Sequence, residues 1–115
     1  VGGELSLSLQ DTWEYNPTNN TWTQRANHPT TVGTFVYASS TAVGFSVGTK
    51  GYLCTGNTTR ICIEYDPATN TWTQVASLLG DARNFAVGFN IGSKAYVGLG
   101  GFSSVRFDSF LEFTP

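Results

Sequence analysis

The stretch EYDPATNTWTQ, residues 64–74, reads as strand, turn and strand, and EYNPTNNTWTQ already stands at 14–24, identical at eight of eleven positions. Proline removes a ladder donor and aspartate hydrogen-bonds the turn backbone, so Glu64-Tyr65 close one strand at Asp66-Pro67. Asn70 and Thr71 finish the turn and Trp72 starts the next strand. A second block also recurs: AVGFSVGTKGYLCTG at 42–56 returns as AVGFNIGSKAYVGLG at 86–100, identical at eight of fifteen positions. EFTP at 112–115 reads as the opening of a third copy of EYDP, and VGG at 1–3 matches LGG at 99–101. The copies are 50 residues apart in the first block and 44 in the second, a period that signals stacked structural repeats.

Each block reads as a hairpin. Val43, Phe45 and Val47 alternate with Ala42, Gly44 and Ser46, the period of two expected of a strand with one bulky and one tight face. Gly48-Thr49, and Gly92-Ser93 in the second copy, supply a two-residue loop with glycine first, as a type II′ turn prefers. Lys50 or Lys94 then opens the returning strand, which carries Tyr52 or Tyr96. Each repeat therefore offers four short antiparallel strands, with the large and small faces that stacked sheets need to interlock.

Composition narrows the partners. The 115 residues carry a net charge of -2 with 12% charged side chains, which leaves no basic face to neutralise a run of phosphates, so nucleic acid is not an expected partner. Aromatic residues reach 14%, glycine numbers 13 and methionine is absent, which suits short packed strands and tight turns. No apolar run approaches the roughly 20 residues that cross a bilayer, and VGGELSLSLQ lacks the regions of a signal peptide. Cys54 and Cys62 bracket TGNTTRI. A hairpin centred on Thr58 sets them opposite each other, as a disulfide requires, and a bridge would imply an oxidising compartment. Two buried thiols acting as small hydrophobes fit the sequence equally well. A single histidine and no further thiols give no metal-site pattern, and no cofactor is expected.

The glycine-ended second strand (Gly2-Gly3, Gly56, Gly100-Gly101), the Tyr-Asp-Pro corner (Tyr65 to Pro67, with Tyr15-Asn16-Pro17) and the tryptophan that follows (Trp22, Trp72) resemble the kelch repeat, in wording closest to secreted bacterial kelch proteins. The resemblance spans nearly the whole chain and implies an all-β fold of four-stranded β-propeller blades around a central channel. It divides the chain into outer strands and a long connection (1–40), one full blade (41–76) and the inner three strands of the next (77–115), about two and a quarter blades. Such a piece leaves two apolar faces bare. The chain is therefore expected to be a segment of a longer propeller, or a subunit that completes one with other copies. Two departures from the pattern stand out. Gly56 lacks its glycine partner, so its next loop is shortened, and NHPTTVGTFVYASS before Thr41 is longer than its counterpart SLLGDARN.

The resemblance also places Arg83, with Asn84 beside it, at the channel mouth, where an arginine holds a carboxylate or acidic peptide. The competing reading pairs Arg83 with Asp81 or a backbone carbonyl, and the matching position of the preceding copy is Ser39. His28 has no motif-placed nucleophile or carboxylate and is expected to be a solvated loop residue. Glu14, Glu64 and Glu112 follow the repeat, which argues for a structural role. Trp13, Trp22 and Trp72 would each offer a face to a sugar ring if exposed, but Trp22 and Trp72 follow the repeat too and are expected in the core. Asn19-Asn20-Thr21 and Asn57-Thr58-Thr59 match the glycosylation acceptor pattern in turns that favour asparagine anyway.

The expected function is a non-catalytic binding or assembly module of a secreted or cell-surface protein, with a protein or carbohydrate ligand. The alternatives are a segment of a kelch carbohydrate enzyme, an oxidase or sugar mutarotase, and a structural subunit of an extracellular assembly. Against the enzyme, neither a Cys, Tyr and His ligand set nor a poised acid and base pair is visible.

Overall fold

The computed structural model describes residues 9–32, 35–36 and 40–115, in which every regular element is a β-strand. Gly2-Gly3 and Ser39 lie outside the described residues. A first hairpin pairs β1 (Thr12–Asn16) with β2 (Thr21–Arg25). The long connection contains the two-residue strands β3 (Thr31–Val32) and β4 (Phe35–Val36). A four-stranded antiparallel sheet follows, in the order β5 (Val43–Val47), β6 (Lys50–Cys54), β7 (Cys62–Asp66), β8 (Thr71–Val75). The next copy builds a three-stranded sheet in which β10 (Lys94–Gly98) lies between β9 (Val87–Ile91) and β13 (Phe110–Phe113). Between its second and third strands stands a small extra hairpin, β11 (Gly101–Phe102) with β12 (Val105–Arg106). The middle copy, four residues shorter here, has no such hairpin among the described residues, and no helix there is long and apolar enough to cross a membrane.

Turn chemistry explains the strand ends. Gly48 and Gly92 take φ of 59° and 61° at the first loop position, as the type II′ reading requires. In both longer turns an Asx side chain caps the backbone two residues on, Asn16 to the Thr18 N–H and Asp66 to the Ala68 N–H, each at 2.9 Å. Asn20 and Asn70 close those turns with φ of 56° and 54°, a left-handed conformation that asparagine tolerates.

The two larger sheets pack bulky face on small face. Phe45, Tyr52 and Phe113 form an aromatic triangle with centroids 5.5–5.8 Å apart, surrounded by Val43, Val47, Ala95 and Val97. Gly88 permits the approach: a Cβ there would lie 2.9 Å from Val43 Cγ2 and 3.1 Å from Phe45. The second copy makes the same stacked pair, Phe89 on Tyr96 at 5.6 Å, but Phe89 is 46% exposed because no further sheet covers it among the described residues.

An ionic trio also repeats. Glu64 accepts from Lys50 Nζ at 2.6 Å and from the Tyr52 hydroxyl at 2.7 Å; Glu112 accepts from Lys94 Nζ at 2.6 Å and from the Tyr96 hydroxyl at 3.3 Å. Lys50 beside Glu64 holds that carboxyl below the usual glutamate range. Burial, reinforced by Glu64, pushes the Tyr52 phenol up to about 12. An unfolded tyrosine ionises near pH 10, so this contribution is intact below pH 10 and is lost as pH rises through about 12. Ultraviolet titration is expected to show a tyrosine step near pH 12 from Tyr52, about two pH units above the ordinary tyrosine value, with stability declining over that interval. Tyr52→Phe should abolish that late step.

Cys54 and Cys62 sit directly opposite each other, fully buried, and are joined in a disulfide with a Cα separation of 4.2 Å. The same pair of positions in the next copy is Gly98 and Phe110. A Cβ on Gly98 would lie 2.5 Å from the Phe110 ring, so ring over glycine fills the space that the bridge takes in the middle copy.

Two aromatic expectations are corrected. His28 is not solvated but 1% exposed, with Nδ1 at 3.1 Å from the Pro29 carbonyl and Nε2 at 3.2 Å from that of Leu9. It occupies the repeat position of Leu78, and the two make the same backbone bond, His28 N–H to Gln10 O at 3.0 Å and Leu78 N–H to Arg60 O at 2.9 Å. Register therefore buries it. Trp22, in turn, is 64% exposed, although its counterpart Trp72 is half-buried against Leu53, Ile61 and Ile63. Trp72 also donates to the Ala26 carbonyl at 2.9 Å, and Trp22 lacks such a preceding segment among the described residues. Trp13 is 44% exposed and bonded to Asp11.

Candidate functional site

One end of the stacked sheets gathers three connections: 55–61 between β6 and β7, 76–86 leading into β9, and 99–109 between β10 and β13. Backbone bonds lock them together. Gly56 N–H donates to Arg83 O at 3.1 Å, Arg83 N–H to Thr59 O at 3.4 Å, and Asn84 exchanges bonds with Gly101 at 2.8 and 3.0 Å.

Arg83 is 1% exposed. Its Nε donates to the Asp81 carbonyl and its Nη1 to the Leu99 carbonyl, both at 3.3 Å, and its guanidinium lies 4.7 Å from the centroid of the Phe107 ring. A cation over an aromatic face is attracted by the ring quadrupole, so the side chain braces 76–86 against 99–109 from within, while the backbone of Arg83 ties in 55–61. Asn84 is half-buried, and its Oδ1 accepts from the Thr41 hydroxyl at 3.0 Å and the Thr58 N–H at 2.9 Å, which ties the two copies together. Asn19 and Asn57 lie exposed in turns, Asn57 with φ of 43° and Asn19 accepting from the Thr21 hydroxyl.

Two of the recesses beside this brace bear on binding. One, of about 480 Å³, is lined by Asn84, Phe85, Leu99, Gly101, Arg106 and Phe107. The other, of about 530 Å³, is lined by Thr58, Arg60, Ser77 and Asp81 among others. Phe85 is 75% exposed on a left-handed backbone, φ 56°, as is its counterpart Thr41 at 61°, so the strain belongs to the repeat and not to one site. Arg60 and Arg106 are exposed and, among the described residues, hydrogen-bond to carbonyls, Gly80 O for the first and Ser103 O and Val105 O for the second. These arginines and Phe85 carry no motif. Only the meeting of distant connections marks them, so sequence reasoning named Arg83 and Asn84 and missed them. Chemically the first recess offers a fixed positive charge, a planar apolar face and an amide, a set that recognises a ligand by donors and stacking.

No family model and no curated protein matches the chain. Among solved structures, that of YjhT resembles it in fold, with a TM-score of 0.60 at 16% identity over 81% of this chain and 27% of that one. The chain thus spans about a quarter of the length of that neighbour.

Proposed function

We propose that the chain is a run of kelch-type β-propeller repeats whose loop end is a non-catalytic binding surface for a protein or glycan, in a protein that matures in an oxidising compartment. The observation that carries this reading is the recurrence of one sheet design. The same Lys-Glu-Tyr trio and the same Phe-Tyr stack appear in successive copies, and the bulky face of one sheet lies on the glycine face of the next. Repetition of that step leaves Val87, Phe89, Ile91 and Phe110 waiting for another sheet, as an array of repeats requires. The paired cysteines support the compartment. Glu64 and Glu112 are tied to lysine and tyrosine, and His28 is enclosed among carbonyls, so the groups best suited to acid–base work serve the framework.

The test is a screen of the intact natural polypeptide against glycan and peptide arrays, followed by chemical-shift mapping. Perturbations are expected at residues 84–85 and 99–107. Arg106→Ala and Phe85→Ala are each expected to weaken binding about tenfold with little change in thermal stability, since both side chains are exposed. Binding that ignores both substitutions would remove this end of the molecule from consideration.

A further inference from the structure

The recess beside Arg60 continues into a third one, and Asp81 with Ala82 lines both. Thr58, Arg60 and Ser77 share the first cavity with them, about 530 Å³, and Phe102, Val105 and Phe107 share the second, about 420 Å³. The groove so formed draws on the 55–61 connection of the four-stranded sheet, the 76–86 connection, and the β11–β12 hairpin with the residues after it. It therefore belongs to the step between two copies that are both present, and not to the uncovered Phe89 face.

Backbone bonds fix its frame. Leu78 N–H donates to Arg60 O at 2.9 Å, Arg83 N–H to Thr59 O at 3.4 Å, and Arg60 Nη1 to Gly80 O at 3.3 Å, where the chain turns with a Gly80 φ of 92°. Groups carried on such a frame need little ordering when a ligand arrives.

The lining is polar at one end and apolar at the other. Arg60 and Asp81 are exposed and enter no ion pair among the described residues, and the Thr58 and Ser77 hydroxyls and the Asp81 carboxylate make no hydrogen bond there. Phe102 and Val105 are about half exposed, and Phe107 is half-buried. One cation balances one carboxylate in the lining, while Arg83 is enclosed and bonded to carbonyls. A phosphate or acidic peptide would meet the Asp81 charge with no surplus cation to offset it. A pyranose ring suits both ends. Its C–H face lies against apolar and aromatic surface, and its adjacent hydroxyls, each donor and acceptor, span a carboxylate or a guanidinium.

We propose that this groove is a subsite for a neutral carbohydrate, an inference that rests on the loop-end binding surface proposed above and gives it a ligand class. The sugar's C–H face lies on Phe102 and Phe107. Asp81 accepts from adjacent hydroxyls, and Arg60 donates from the N–H groups that Gly80 does not use. The size of the two cavities suits a short oligosaccharide.

The test titrates the full chain with neutral trisaccharides of glucose, of galactose and of mannose at millimolar concentration and follows backbone amide shifts. At least one sugar is expected to shift residues 58–61, 77–82 and 105–107. Asp81→Ala should weaken that sugar about tenfold at an unchanged melting temperature, because the carboxylate is exposed and holds nothing else in place. Phe102→Ala should weaken it comparably through the lost stacking face. Undiminished binding by Asp81→Ala, or no shift at 58–61 and 77–82 with any of the three sugars, overturns the subsite. Shifts there from peptides alone would give the groove to a protein partner and overturn the carbohydrate assignment. In each of these cases array ligands that still shift residues 84–85 leave the loop-end reading standing, whereas a loop end that responds to no ligand overturns both.

Discussion

Gly100→Ala is expected to cost about 3–5 kcal/mol, combining left-handed strain of about 1–3 kcal/mol with overpacking of similar size. Gly100 has φ of 77°, and a Cβ there would lie 2.3 Å from the Asn84 carbonyl oxygen and 2.9 Å from the Ala86 nitrogen. These contacts are backbone on backbone, so no side chain can swing away to make room. Moving them would break the Asn84–Gly101 bonds that hold the 76–86 and 99–109 connections together. Gly56 occupies the same place one repeat earlier, with φ of 83° and an expected Cβ contact of 2.7 Å to the Ser40 carbonyl. Gly56→Ala should therefore lose a similar amount. Gly48 is the control, because it also has positive φ but nothing lies within 4 Å of its Cβ position. Gly48→Ala should lose only the conformational part. Chemical denaturation of the three variants checks the ordering, and equal losses at Gly48 and Gly100 would refute the packing argument.

Removing the disulfide is expected to cost about 2–3 kcal/mol, the entropy released to the unfolded chain by opening a loop of roughly nine residues. The double variant Cys54→Ala, Cys62→Ala isolates this effect with a small added packing loss, because both side chains are fully buried. Reduction under native conditions should be slow, since the sulfurs are reached only after local opening. Replacing the pair with the third copy's solution, Cys54→Gly with Cys62→Phe, should restore packing without the cross-link and fall between wild type and the alanine variant. Thermal unfolding with and without reductant checks both claims. A melting temperature unchanged by reductant, with thiols verified as free, would show that the bridge contributes nothing.

Strand order within each copy, the two-residue turns at Gly48 and Gly92, and the opposition of Cys54 and Cys62 were legible in the residues. They depend on alternation and turn chemistry, which act over a few positions. The burial of His28 was not legible in the sequence. Its loop position suggested solvent, and only the backbone bonds of the folded chain, His28 to Gln10 as Leu78 to Arg60, show that it takes the inward position. The exposed Trp22 shows the converse, because a repeated residue type does not bring its neighbour with it.

At the candidate site, it was the family resemblance that named Arg83 and Asn84, just before a recurring strand. It could not give their surroundings. Arg83 lies enclosed by the Asp81 and Leu99 carbonyls and the Phe107 ring, while Arg60 and Arg106, unmarked by any pattern, stand exposed beside the recesses. The amino-acid order by itself determined the repeat, its strands and its turns, because each is encoded in contacts between near neighbours. Tertiary structure alone decided which charged and aromatic groups meet solvent, because that depends on how connections forty residues apart converge across packed sheets.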